Sequence, residues 1–246
     1  MDNAIRQAVS MLKKCRKAVA LTGAGVSTES GIPDFRSAGG LWSRFDPFEY
    51  ATLGAFQRDP HRVWQMLKEL LTLVECRPNR GHEALARLEE MGIVQGIITQ
   101  NIDGLHQRAG SCQVVEFHGS MASFSCPVCG KMLPLAAVRE MALPPLCTGC
   151  RSVLKPDVVF FDEQIPPKAL LDTEELLCGV DLLLVVGTSC EVMPAALIPR
   201  QVLGQGGNLI EINLVPVLAG TARTERRQSH FTHRSQRQHL PAYRAT

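Results

Sequence analysis

The sequence predicts an α/β protein built on a doubly wound parallel sheet. Short apolar runs bounded by glycine or polar residues recur along the chain, and stretches of helical period lie between several of them. Four of the runs end in glycine or polar side chains. In open α/β sheets, ligands bind in the crevice outside the carboxyl ends of the strands.

The elements follow in order. Residues 4–16 form an amphipathic helix with Ile5, Ala8, Val9 and Leu12 on one face. AVALTGAG (18–25) is a buried strand that runs into a glycine loop. Residues 59–76 are helical, with Asp59-Pro60 as N-cap and first turn, and residues 81–91 form the next helix. IVQGIITQN (93–101) and VVEFHGS (114–120) read as strands, as do DVVFF (157–161), DLLLVVGTS (181–189) and NLIEIN (208–213). The groups at Gly23–Gly25, Gln100–Asp103, His118 and Gly187–Ser189 then converge on one crevice. No internal repeat is evident.

Composition narrows the function. The 246 residues are 45% hydrophobic and 20% charged, an ordinary globular balance. Aromatics make up only 5%, and the net charge is +2, so the composition argues against a nucleic-acid platform. The charge is uneven. Residues 219–246 hold six Arg, one Glu and no Lys, about +5 in all, which leaves the remainder near −3. The first residues are interrupted by charge, and the longest apolar run, near Leu182 to Val186, is too short to span a bilayer. The nine cysteines suit a reducing cytoplasm with one metal site better than a disulfide framework.

That metal site is Cys126, Cys129, Cys147 and Cys150, spaced C-x2-C-x17-C-x2-C. Two such pairs can close a tetrahedral thiolate shell, which suits one Zn²⁺. Four sulfurs leave no open coordination position, so the expected role is structural.

The stretch GAGVSTESGIPDFR (23–36) follows the first strand. Gly23 and Gly25 let a phosphate approach the backbone, but the third glycine of a G-x-G-x-x-G pattern comes late, at Gly31. By itself this stretch fits either a dinucleotide loop or a plain strand-to-helix turn. The whole stretch closely resembles the signature of the sirtuins, NAD-dependent protein-lysine deacylases. Further blocks follow in that family's order: TQNID (99–103) with Leu105-His106, FHG (117–119), the two cysteine pairs, KPDVVF (155–160), GTS (187–189) and IEIN (210–213). The resemblance covers about residues 5–216.

The resemblance implies a Rossmann-like NAD-binding domain made of residues 1–36, 81–120 and 156–218. It implies a small inserted domain with a helical module (37–80) and a zinc ribbon (121–155), and an acetylated peptide in the cleft between the domains. His118 would be the general base and Asn101 would assist catalysis. Gly23, Ala24, Gly25, Thr28, Phe35, Arg36, Gln100, Ile102, Asp103, Gly187, Thr188, Ser189 and Asn213 would join Asn101 in holding NAD. Val158, Val159 and Phe160 would pair with the substrate backbone. Taken singly, these residues read as a strand-end histidine, turn caps and a surface ion pair.

The reaction implied is acetyl transfer from lysine to ADP-ribose with release of nicotinamide. A mono-ADP-ribosyltransferase on the same scaffold is the alternative, and a catalytically impaired zinc-ribbon binding protein is the other. Three departures from the family pattern stand out. Asp162 replaces a usual glycine in Phe161-Asp162-Glu163. Trp64 and Leu67 stand at the positions matched to the Tyr and Arg of relatives that remove acidic acyl groups, so acetyl is the expected acyl group. The Arg-rich segment 219–246 shows neither strand nor helix period and is expected to be disordered, either as a replaced terminus or as a basic tail for an acidic partner.

Overall fold

A computed structural model describes residues 3–35, 39–73, 75–218 and 229–231. The chain opens with helix α1 (Asn3–Lys14) and strand β1 (Ala18–Thr22). A 3-10 turn (Ala24–Ser30) follows, and then α2 (Pro47–Tyr50), α3 (Leu53–Arg58), α4 (Pro60–Leu73) and α5 (Arg80–Glu90). Asp59 caps α4 by accepting from the Arg62 amide at 3.0 Å, and Asn79 caps α5. Next come β2 (Val94–Thr99), α6 (Leu105–Arg108), β3 (Val114–Glu116), β4 (Gly119–Ser125), β5 (Met132–Pro134), α7 (Leu135–Arg139) and β6 (Lys155–Val158). The chain continues through α8 (Pro167–Leu177), β7 (Leu182–Val186), α9 (Ile198–Gly204), β8 (Asn208–Ile212) and β9 (Ser229–Phe231).

Among the described residues, six strands form one parallel sheet in the order β3-β2-β1-β7-β8-β9. The chain direction across the sheet reverses between β1 and β7, which makes that pair the topological switch point. Strand alternation sorts the apolar residues onto two faces. Ala18, Ala20, Leu182, Leu184 and Ile210 pack with Ala8 of α1 and Leu85 of α5. Val19, Leu21, Leu183, Val185 and Leu209 pack with Leu177 of α8 and Val202 of α9. Burial on both faces explains why these strands read as unbroken apolar runs.

A second sheet, β5-β4-β6, is antiparallel. It shares one core with the helical module: Phe56, Val63, Trp64 and Leu67 meet Met121, Phe124, Val138 and Leu154. The Trp64 and Phe124 rings stack 6.0 Å apart, and Trp64 Nε1–H donates to the Leu154 carbonyl at 2.8 Å. The architecture is therefore a Rossmann-like sheet carrying a small domain of helices and ribbon.

Three sequence expectations need correction. DVVFF does not join the large sheet: its first residues lie in β6, which pairs with β4, so the small sheet reaches to Val158 rather than ending at 155. Helices α8 and α9 and strands β4 and β5 escaped the sequence reading. The segment beyond residue 219, expected to hold no strand, supplies β9 beside β8, with Ile212 opposite Phe231. A short edge strand needs only three extended residues, too few to show a period. The rest of 219–246 lies outside the described residues.

Candidate active site and metal centre

The loops after β1 and β7 lock together at the switch point. Gly25 N–H donates to the Gly187 carbonyl at 2.8 Å, and Gly23 N–H donates to that of Val186 at 3.1 Å. A Cβ on Gly25 would lie 2.8 Å from Gly187 Cα, and one on Gly23 would lie 2.7 Å from Thr188 Cβ. The first demand on these glycines is thus contact between two strand ends, alongside any approach by a phosphate. Gly187 itself sits at φ +61°, the left-handed region.

The predicted residues line up along this edge. Gln100 Nε2 donates to Thr188 Oγ1 at 2.8 Å, and Asn213 Nδ2 donates to the Thr188 carbonyl at 3.1 Å. Ser189 lies next to Thr188 on the same turn. Asn101 Nδ2 donates to Ser27 Oγ at 3.0 Å, and Ser27 Oγ donates to Asp103 Oδ2 at 2.7 Å. Ala24, Phe35, Asn101, Ile102 and Asp103 face a cavity of about 530 Å³ between the sheet edge and the helical module. Thr28 is exposed and turns its hydroxyl back to the Gly25 carbonyl at 3.0 Å. Arg36 lies outside the described residues.

His118 is half-buried and its Nδ1 lies 3.2 Å from the Gln100 carbonyl. A carbonyl only accepts, so Nδ1 carries the hydrogen and a neutral ring keeps its lone pair on Nε2. Burial pulls the imidazole below its ordinary 6.5, with the Gln100 hydrogen bond opposing. The net lowering suits a base that is unprotonated at neutral pH.

Beneath this edge lies a buried polar network that the sequence reading did not single out. Thr22 Oγ1 is 2.9 Å from both Thr99 Oγ1 and His106 Nε2, and Thr99 Oγ1 accepts the Asn101 amide at 3.1 Å. The His82 and His106 rings sit 4.9 Å apart. Burial lowers both pKa values, that of His106 to about 3, with neighbouring His82 adding to the effect there. Glu211, fully buried, accepts from Asn213 Nδ2 at 2.8 Å and from the Val217 amide at 2.6 Å, which fixes the amide of Asn213. The sequence signal for these residues is a polar side chain inside an apolar or motif block, and such a residue shows its partners only once the strands are side by side.

Val158 and Phe160 point into the small-domain core, while Val159 is half-buried. The amides of Val159, Phe160 and Phe161 already donate to the His118 carbonyl, Glu163 Oε2 and the Ala51 carbonyl. The carbonyls of Val158, Phe160 and Phe161 likewise accept from Lys155 Nζ and from the amides of Glu163 and Leu53. Asp162 takes φ +64°, the glycine-like conformation that the substitution made suspect, and Asp is among the side chains that tolerate it.

Trp64 and Leu67 do not line the cavity: both are core residues of the small domain. The α4 residues that face it are Gln65, Lys68, Glu69, Leu70 and Thr72. Helical period puts 63, 64, 66 and 67 inward, which keeps Trp64 and Leu67 out of the cavity wall.

In the ribbon, Cys126 and Cys150 Sγ atoms are 3.4 Å apart, those of Cys129 and Cys147 are 3.6 Å apart, and all four lie within 4.8 Å of one another. A tetrahedron with Zn–S bonds of about 2.3 Å has edges of about 3.8 Å, so the thiols fit zinc. Cys126 and Cys147 are buried and the other two exposed, so the site closes over its own core.

The Sir2 family model matches residues 23–194. An NAD-dependent protein deacylase 2 from Pyrobaculum aerophilum is 50% identical over 207 residues, covering 84% of this chain and 83% of its own. An NAD-dependent protein deacetylase from Thermodesulfovibrio yellowstonii is 43% identical over 216 residues, covering 86% and 84%. A crystal structure of a Sir2 homolog–NAD complex superposes with a TM-score of 0.83 at 38% identity, covering 94% of this chain and 88% of that one. A Sir2–p53 peptide–NAD⁺ structure gives 0.79 at 37% identity, covering 88% of each chain. With its switch-point glycines, half-buried His118 and four-thiol ribbon in place, the chain belongs to the Sir2 family.

Proposed function

We propose that this protein removes acetyl groups from protein lysines with NAD, releasing nicotinamide and O-acetyl-ADP-ribose. The observation that carries the reading is His118: a neutral imidazole with Nδ1 tied to the Gln100 carbonyl and Nε2 left to accept a proton, beside a sheet edge of amide, hydroxyl and carboxyl groups. When bound, NAD supplies a good leaving group, nicotinamide, on an electrophilic ribose carbon. Asp103, held by Ser27, and Asn101 face the cavity and would orient a carboxamide. Asn213, its amide nitrogen held by Glu211 and Thr188, would offer Oδ1 to a ribose hydroxyl. Thr188 and Ser189 would meet the cofactor at the switch point, and His118 Nε2 would take the proton of a ribose hydroxyl. Cys126, Cys129, Cys147 and Cys150 would hold one structural zinc.

The substrate is a peptide or protein segment. Val158, Val159 and Phe160 would flank it, and the Val159 carbonyl would accept from its backbone. We place the protein in the cytoplasm, since all nine cysteines are free thiols, and no helix among the described residues is long and apolar enough to cross a membrane. We assign it no nucleic-acid partner.

The test is incubation with NAD labelled in the adenosine half and an acetylated peptide. The label is expected in O-acetyl-ADP-ribose, in step with peptide deacetylation. Label attached to protein, with the peptide still acetylated, would replace this reading by ADP-ribosyl transfer.

A further inference from the structure

The segment that would flank the substrate is closed on itself by one ion pair. Lys155 opens β6, and Glu163 lies just past Phe161. Between them Asp162, at φ +64°, turns the chain back, so that the Glu163 amide donates to the Phe160 carbonyl at 3.1 Å. The turn returns the Glu163 carboxylate to the start of the segment, where Oε2 lies 2.9 Å from Lys155 Nζ. That same Oε2 accepts the Phe160 amide at 2.9 Å.

An ammonium donates through each of its protons, and Lys155 finds an acceptor for all of them. They are Glu163 Oε2, the Val158 carbonyl at 2.7 Å and the Pro156 carbonyl at 3.2 Å. Nζ also stands 4.7 Å from the centre of the Phe160 ring, which is buried in the small-domain core beside Phe56. The Lys155 and Glu163 side chains are 13% and 27% exposed, against 67% and 69% for the surface pair Arg87–Glu90, so solvent screens the former far less. Backbone groups make the other bonds to this segment: the Val159 amide donates to the His118 carbonyl at 2.8 Å, the Phe161 amide to that of Ala51 at 2.8 Å, and the Leu53 amide to the Phe161 carbonyl at 3.0 Å. The Val158 carbonyl and the Phe160 amide depend instead on side chains, those of Lys155 and Glu163.

We propose that Lys155 and Glu163 are positioning residues for the peptide: their ion pair fixes residues 158–161 as a ready-made strand before the substrate arrives. The proposal rests on the deacylase reading above and deepens its peptide site. A segment that is already extended loses little conformational entropy when a second strand joins it. Once loosened, the segment must be ordered by the peptide itself, and peptide binding weakens by that amount. The base stands apart from this effect. His118 meets the segment through its backbone carbonyl, while its ring is oriented by the Gln100 carbonyl. Loss of the pair therefore falls on the KM for peptide rather than on kcat or on NAD.

The experiment uses the full chain loaded with zinc, with NAD and one acetylated peptide varied in turn. Lys155→Met keeps most of the side chain's volume and removes its charge, and Glu163→Gln keeps an acceptor for the Phe160 amide. Each variant is checked by its melting curve and its zinc content, because Lys155 pairs with Ser125, next to Cys126. Lys155→Met is expected to raise the KM for peptide at least about tenfold, the worth of one charge-assisted hydrogen bond, with kcat and the KM for NAD within about twofold. Glu163→Gln is expected to raise it less, about threefold, since a neutral hydrogen bond remains. The double variant is expected to bind peptide better than Lys155→Met alone, because it leaves no unpaired carboxylate. If Lys155→Met does not fold, the same split between KM and kcat in Glu163→Gln decides. An unchanged KM for peptide in folded, active variants would overturn the inference and leave the deacylase reading intact. So would a fall in kcat at constant KM, or an equal rise in the KM for NAD. No deacylation by the unaltered protein would overturn the deacylase reading and this inference with it.

Discussion

The large sheet and the zinc ribbon are held by different physics. Strands β1 and β7 are five residues each, buried along almost their whole length and covered by helices on both faces. The ribbon's β5 has three residues, and Val128 and Met132 stand 71% and 63% exposed. So short a meander cannot bury enough apolar surface to order itself. It borrows a core from the helical module on one side and four thiolates on the other. The chemistry sits on the self-sufficient half, at the β1–β7 edge, and the half that needs a metal shapes the cavity wall. A metal-dependent part can thus be lost while the switch-point glycines and their hydrogen bonds stay in place.

Removing the metal is expected to have the largest effect. Structural zinc contributes apparent free energies of about 10–16 kcal/mol in isolated fingers. Complete chelation, or Cys147→Ala, is expected to unfold the ribbon while α1 and the large sheet persist. Hydrogen exchange should show protection lost at 119–158 and kept at 18–22 and 182–186. Uniform loss of protection would mean that the two halves fold as one unit.

A smaller effect in free energy falls on the other half alone. His118→Ala is expected to lower deacylation by about 10²–10⁴-fold with the melting temperature nearly unchanged, because a base and not a packed core residue is lost. Activity of the unaltered protein should also fall with acid, at a midpoint below 6.5. The sign follows from the proton count: the base form is needed, burial lowers its pKa, and protonation therefore begins only below the ordinary histidine range. A rate that rises as pH drops through this range would remove His118 from the role.

Gly25→Ala sharpens the contrast at the backbone. A methyl 2.8 Å from Gly187 Cα forces two strand ends apart, at a cost of about 1–3 kcal/mol. Melting should drop and NAD should bind more weakly, with zinc content unchanged at one equivalent per chain. Loss of zinc in this variant would show that the halves are coupled through the switch point.

The smallest expected effect is the pH dependence of the buried histidine pair. His106 is held neutral, with its pKa lowered to about 3 from 6.5. The unfolded chain therefore takes up this proton first. The stability from the neutral ring is fully present above 6.5 and is lost as pH falls from there towards about 3. His106→Gln should melt lower at pH 7 yet lose less between pH 6.5 and 4.5 than the unaltered protein. Equal slopes would assign the acid sensitivity to other groups.

How much of this was legible beforehand differs between the same two regions. Residues 18–22, 94–99, 182–186 and 208–212 carry their own strand signal, because burial on both faces demands unbroken apolar side chains. The four cysteines likewise name their metal by spacing alone. The small sheet was not legible: β4 and β5 alternate weakly, and β6 looked like a member of the large sheet because a strand does not encode its partner. His118 was legible as a residue through its motif, but its tautomer was not, since that depends on a carbonyl eighteen positions away.

The amino-acid order by itself determined the four central strands of the large sheet and the thiolate shell, because local pattern and ligand chemistry travel with the sequence. Only the tertiary structure decided the rest. It turned Gly23 and Gly25 into contact points with the β7 loop, sent Trp64 and Leu67 into a core rather than a pocket, and tied Arg44 to Glu69 at the cavity rim. These outcomes depend on distances between residues far apart in the chain, and those distances exist only after the elements have packed.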